Sequence, residues 1–351
     1  MKPLKCSALI LLSFLAMFTH AQVKESNNLI SFFNKKGKKV FILGEIHSSA
    51  ANPEILKDLL ERTSESSESL NLFLEVGPSE AFLYNRFLAN GDTTLLDQTV
   101  YAGNFKEWRN FWYNLYAAPI GKKLTIRGFD FDRPAVFKYI LRQVIVDAYP
   151  GLEQYLPGIF EVLNDPGFDT RHGSPFPNKE DKEFYLAITN TFHHKKNAWK
   201  QHLPPVVFEL LQNVAENEVL EFGGNRDENI QRNVLRYISS SSIESNVILI
   251  GRGHADLSNN LAAKMIKEKV GFTVSVGLIL YHNSQILDSQ YEKIEDINDL
   301  NKKPWKKFAA LMPSERAYTY LDAAGSLQAL GKYADFIIIA HNQQPLTWIS
   351  P

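Results

Sequence analysis

Four stretches of the sequence end an apolar run in ionisable residues: Gly44-Glu45-Ile46-His47, Glu75, Asp130 with Asp132, and Gly251-Arg252-Gly253-His254. Glu45 and His47 are two apart, so in extended chain both side chains leave the same side of the backbone. A carboxylate beside an imidazole fixes its tautomer and raises its basicity, which is what a general base acting on water needs. Glu75 follows the apolar run from Leu70, and a carboxylate so buried must be paired, hydrogen-bonded or protonated. Its candidate partners are His47, His254, Arg226 or a metal. His254 holds a position on its run that mirrors that of His47. Arg226, in Asn225-Arg226-Asp227-Glu228, opens a helix with Asn225 as N-cap and Glu228 as the reciprocal residue of a capping box. A guanidinium there suits a carboxylate or a developing oxyanion. Arg252 and Asp130 complete the candidate substrate-binding set. Gly44 and the glycines flanking Arg252 suit a close approach of backbone to a ligand.

The elements that must position these residues are legible as alternating patterns. Residues 39–46, 70–76, 124–129, 246–250, 273–281 and 334–340 are short, largely apolar runs, as expected of strands buried on both faces of a parallel sheet. Between them, helical spacing appears from Asn52, read as the N-cap before Pro53, and over 79–88, 105–117, 134–149, 226–239 and 260–270. This alternation predicts an open, mainly parallel α/β sheet in three layers with covering helices. Ligands of such sheets bind where the strands' carboxyl ends line one edge, which is where the four stretches converge. Residues from about 151 to 224 contain no strand pattern and read as a helical insertion, with a Pro/Gly-rich patch from Asp165 to Asn178. The aromatic run of Trp108, Phe111, Trp112, Tyr113 and Tyr116 has helical spacing, which suits core or the lining of an apolar pocket. His193 and His194, among lysines, read as a solvated helix face.

Several classes are excluded. The 38 Lys and Arg against 39 Asp and Glu leave no basic field for nucleic acid. The sequence has no HExxH, CxxC, GxxxxGK[ST] or GxSxG motif, so zincin, redox, nucleotide-triphosphatase and nucleophile-elbow chemistries lack their anchors. Met1 to Gln22, with Lys2 and Lys5 ahead of an apolar run and Thr19 and Ala21 three apart counted inclusively, reads as an export signal. Cleavage after Ala21 leaves 330 residues, a single domain over 22–351, and removes Cys6, the one cysteine. No later window is a transmembrane candidate, and the expected compartment is periplasmic or extracellular.

At these residues the sequence resembles the superfamily that joins erythromycin esterases, ChaN-like haem-binding proteins and the TraB/Tiki proteins. Gly44-Glu45-Ile46-His47 is similar to the opening motif of the ChaN branch. Asn225 to Glu228 through Asn233-Val234, the strand ending at His254, and the closing pattern of Tyr318 to Asp322 and Tyr333 to Phe336 are more similar to the esterases. The resemblance implies a catalytic set of Glu45, His47, Glu75 and His254 assisted by Arg226. It leaves the cofactor open: the Tiki likeness implies a divalent metal on His47, Glu75 and His254, and the ChaN likeness implies haem. The expected function is hydrolysis of an ester or amide bond in a small-molecule or peptide substrate, by water that His47 activates. The alternative is haem or iron binding without catalysis.

Overall fold

The structure, a computed structural model, describes residues 31–32, 35–145, 151–163, 179–216, 226–288, 291–303, 305–306, 318–322 and 331–349. The residues read as an export signal, the Pro/Gly-rich patch and Asn225 lie outside the described residues. The first half of the chain runs β1 (Lys39–Glu45), α1 (Ala51–Glu65), β2 (Leu70–Leu74), α2 (Pro78–Asn90), α3 (Val100–Asn104), α4 (Lys106–Ala117) and β3 (Leu124–Gly128). After α5 (Pro134–Tyr139) come α6 (Pro157–Leu163), α7 (Lys179–His202), α8 (Pro205–Glu216) and α9 (Arg226–Ser240). The chain then forms β4 (Ser245–Gly251), the single turn α10 (Arg252–Ala255), α11 (Ala262–Lys269) and β5 (Thr273–His282). It closes with β6 (Ser284–Leu287), β7 (Ile294–Ile297), β8 (Tyr318–Asp322) and β9 (Phe336–His341).

Seven strands form one sheet in the order β3-β2-β4-β1-β5-β9-β8, parallel throughout except for β8, which pairs antiparallel with β9. Strand alternation divides the side chains between two cores. Phe41 and Leu43 of β1, with Val247 and Leu249 of β4, face a core filled by α1, α2, α4, α7 and α8. Val40, Ile42, Ile248 and Ile250 face the opposite core, closed by Ile230, Val234 and Ile238 of α9 and Ile266 of α11. Both faces are therefore covered, which is why β1 and β4 are apolar along almost their whole length and buried at every residue. This is the expected mainly parallel three-layer α/β architecture.

Several local expectations are corrected. Helix α1 begins at Ala51 with Ala50 as its N-cap, so Asn52 lies inside the first turn and its side chain is free for other work. The helix from Pro134 passes at Ile140–Ile145 into a π-helical turn. The β6–β7 hairpin and the edge strand β8 are not apparent as strands in the apolar pattern. Ile294, Glu295 and Asp296 of β7 are exposed, and β8 is a strand because β9 pairs with it. A Cβ built on Gly44 would meet Ala255 Cβ at 2.5 Å and Leu278 Cδ2 at 2.7 Å, so Gly44 admits the packing of α10 and β5 onto β1 rather than a ligand.

Candidate active site

Because β1, β2, β3 and β4 run parallel and in register, their carboxyl ends finish side by side, and the following turns bring the ionisable residues together. Glu45 closes β1 in a buried position. Its Oε1 takes a hydrogen bond from His47 Nδ1, and its Oε2 accepts from Asn52 Nδ2. Asn52 also donates to the Ile46 carbonyl at 2.6 Å and accepts from the Tyr281 hydroxyl at 2.7 Å. The residue expected to cap a helix thus aims the carboxylate that aims the histidine.

His47 Nε2 lies 3.6 Å from Glu75 Oε2, and the ring remains 35% exposed. Glu75 Oε2 accepts from the Gly251 N–H at 2.6 Å, and its Oε1 accepts from Arg226 Nη2 at 2.6 Å. The same Arg226 nitrogen reaches Asp130 Oδ2 at 2.7 Å, while Arg226 Nη1 approaches His254 Nε2 at 3.5 Å. His254 Nδ1 pairs at 2.8 Å with Asp227 Oδ1, which also accepts from the Ala262 N–H. Each imidazole therefore has a carboxylate on Nδ1, and both Nε2 atoms face Glu75, since His254 Nε2 lies 3.9 Å from Oε1.

The electrostatics follow from this layout. Burial opposes charge on His47, but Glu45, by charge and hydrogen bond, and Glu75 outweigh it and raise the imidazole to about 9. Burial also raises the Glu45 carboxyl, against the pull of His47, so the pair holds its proton tightly. The hydrogen bond to Asp227 raises His254 against burial. Burial raises Asp130, opposed by Arg226.

Glu45, His47, Glu75, Asp130, Arg226 and His254 are brought into one cluster, and two expected members stand apart from it. Arg252 sends Nη1 to Asp299 Oδ2 at 2.5 Å and to the Ile279 carbonyl at 3.3 Å, so its guanidinium is committed to the β5 side rather than to a substrate. Asp132 turns back to accept from the Ser79 N–H at 2.8 Å at the start of α2, and burial raises it to about 7. Of the glycines flanking Arg252, Gly251 is tight, since a Cβ on it would lie 3.2 Å from His47 Nε2 and 3.3 Å from Glu75 Oε2, whereas Gly253 has open space.

Among the described residues, no three His, Asp or Glu side chains are arranged to hold a metal ion. The physical reason is Arg226: its guanidinium bonds to Glu75 and approaches His254, so the positive charge shared by those two is already a side chain of the protein. The residues present do not fit a divalent metal. No described helix is long and apolar enough to cross a membrane.

Sequence reading missed two contributors, the pairing of Asp227 with His254 and the segment after β9. Asp227 was legible as a helix-opening acid, and nothing in its spacing linked it to His254. Trp108 and Trp112, of the run read as core or pocket lining, border with Tyr84 and Tyr101 a narrow cavity of about 20 Å³, room for about one water, beside Glu45, His47 and Glu75. Phe111 of the same run is buried in the core, while Tyr113 and Tyr116 are exposed, as are His193 and His194. The segment after β9 also straps the site's turns together. Leu346 N–H donates to the Ser48 carbonyl at 3.3 Å, Lys106 N–H to the Thr347 carbonyl at 2.9 Å, and Ile349 N–H to the Asn104 carbonyl at 2.8 Å.

Fold and site together define a class: a three-layer α/β protein whose carboxyl sheet edge carries two carboxylate-paired histidines around a glutamate and an arginine. No protein-family model and no curated protein matches the sequence. Solved structures do share the fold. The erythromycin esterase EreC, in the open conformation of a mutant, is 11% identical at a TM-score of 0.64, covering 90% of this chain and 93% of that one. A succinoglycan biosynthesis protein is 12% identical at 0.63, covering 91% and 90%. A Bacillus cereus protein is 13% identical at 0.61, covering 92% of each chain. At these identities the likeness is one of fold, and at that level it agrees with the esterase resemblance read from the sequence motifs. A haem-bound ChaN of Campylobacter jejuni superposes at a TM-score of only 0.35.

Proposed function

We propose that this chain is a hydrolase of an ester or amide bond, working in an exported compartment as a single domain after loss of residues 1–21, with water as the nucleophile and His47 as its base. The observation that carries the reading is the His47 dyad. Buried Glu45 orients Nδ1, and the opposite nitrogen is left partly exposed beside Glu75, with Arg226 and His254 on the far side of that glutamate. The fold shared with an erythromycin esterase supports the same reaction type.

In this reading, neutral His47 takes a proton from a water as its oxygen adds to the substrate carbonyl carbon, and Glu45 balances the imidazolium that forms. The Arg226 guanidinium and the His254 imidazolium meet the negative charge that develops on the carbonyl oxygen. When the tetrahedral intermediate collapses, His254 Nε2 gives its proton to the departing oxygen or nitrogen, and Asp227 steadies the ring. Both histidines then return to their starting protonation by exchanging one proton with solvent. The test is a substrate screen over neutral esters and amides with the wild type, His47→Ala and Glu75→Ala. Turnover should fall at least 100-fold in each variant, the range of a lost general base or its partner. No turnover of any substrate, or turnover that survives both changes, overturns the proposal.

A further inference from the structure

Helix α4 buries three large aromatic residues, Trp108, Phe111 and Trp112. Positions 108 and 112 share one helix face, and both border the narrow cavity beside Glu45, His47 and Glu75, which Phe111 does not. At about 20 Å³ the cavity has room for about one water. The choice of ring follows the same division: the residue that meets only core is Phe, and the two that meet the cavity carry an indole N–H. Neither N–H has an acceptor among the described residues, although both side chains are buried. A wall that serves only as core seldom leaves two such donors unpaired. The tyrosine hydroxyls of this wall are engaged elsewhere, since Tyr84 donates to Glu80 Oε1 at 3.0 Å and Tyr101 pairs with Tyr291. Across the cavity, His47 Nε2 and Glu75 Oε2 stand 3.6 Å apart, too long for a hydrogen bond and short enough for one water to touch both at about 2.8 Å.

We infer that the indole N–H groups of Trp108 and Trp112 hold, in this cavity, the water that His47 activates. The inference rests on the proposed hydrolase reading and adds two positioning residues to it. A water there completes four hydrogen bonds: its oxygen accepts from the two indoles, and its hydrogens go to Nε2 of neutral His47 and to Glu75 Oε2. In the attack, one O–H proton passes to Nε2 as the oxygen bonds to the carbonyl carbon. The lone pair that forms this bond leaves one indole, while the other indole and Glu75 keep the oxygen in place. A cavity the size of one water admits no part of the substrate. The substrate therefore approaches from the open side, where the Arg226 and His254 side chains are 47% and 21% exposed.

The experiment pairs NMR of the wild type with kinetics of Trp108→Phe and Trp112→Phe, each of which keeps a buried ring and removes the N–H. In ¹⁵N-edited spectra both indole protons should show cross-peaks to a bound water, opposite in sign between NOE and ROE transfer. With p-nitrophenyl acetate, kcat should fall at least tenfold in each variant and KM should stay within threefold, because the lost donor places the nucleophile and touches no substrate. Indole protons without a bound water overturn the inference and leave the hydrolase reading standing. A bound water with kcat within twofold of wild type in both variants overturns the part given to the indoles. A rise in KM at unchanged kcat overturns it too, because substrate would then reach the wall. A bound water in a protein that hydrolyses no ester or amide supports the water site and overturns the hydrolase reading.

Discussion

Replacing Glu45 with Gln removes one negative charge and little volume from the side chain that holds His47 Nδ1. Two unit charges about 4 Å apart at an effective dielectric of about 20 interact by about 4 kcal/mol, equivalent to about three pKa units. Solvent reaches the 35% exposed ring and screens part of this, so a fall of about two units is expected, from about 9 to about 7. At pH 7 the neutral share of His47 should then rise from about one in a hundred to about one half. The assay is a ¹⁵N-imidazole NMR titration from pH 5 to 10, with Glu45→Asp as a variant that keeps the charge and should retain most of the elevation. The kcat/KM profile should agree: wild-type turnover rises with pH toward about 9, and whatever turnover Glu45→Gln retains reaches its plateau at lower pH. A midpoint in Glu45→Gln that moves by less than half a unit, or upward, would refute the reasoning, because Glu45 would then not be what elevates His47.

The linkage of stability to pH has the same sign for two groups. Unfolded His47 releases its proton near 6.5 and the folded group near 9, so the stability from its pairing is complete below 6.5 and is lost as pH rises to about 9. Buried Asp132, raised from 3.8 to about 7, likewise lowers stability as pH rises across that window, by a ceiling of about 4 kcal/mol. Asp132→Asn should flatten denaturant-measured stability between pH 4 and 7, and a slope as steep as the wild type's would discount the buried carboxyl. Gly251→Ala, crowding His47 Nε2 and Glu75 Oε2 from 3.2 and 3.3 Å, should cut kcat/KM at least tenfold with the thermal midpoint within a few degrees, and activity within twofold of wild type would count against that packing. Elemental analysis should find no stoichiometric divalent metal and chelators should leave turnover unchanged; one metal per chain that disappears in Glu75→Ala would displace Arg226 from its assigned position.

The strand ends were the readable part of the site. Glu45, His47, Glu75, Asp130 and His254 follow apolar runs, and in a parallel sheet any residue after a strand goes to the carboxyl edge whichever strand carries it. Arg226 was equally legible as the opening of an amphipathic helix. The use each neighbour makes of its side chain was not. Asn52 beside Pro53 has the signature of a cap, yet the helix is capped two residues earlier, at Ala50, and contact with Glu45 and Tyr281 gives Asn52 another role. Arg252 has the same local setting as His254, and Asp299, 47 residues on, draws it away.

The sequence by itself determined the layers and the edge on which the chemistry lies, because burial on two faces demands apolar runs and chain direction then sends their ends to one side. Only the tertiary structure decided which charges meet, that Arg226 is the cation shared by Glu75 and His254, and that Trp108 and Trp112 join the core with a narrow cavity beside the site. Those outcomes depend on distances of a few ångströms between segments remote in sequence, and a pattern of apolar and polar residues carries no record of such distances.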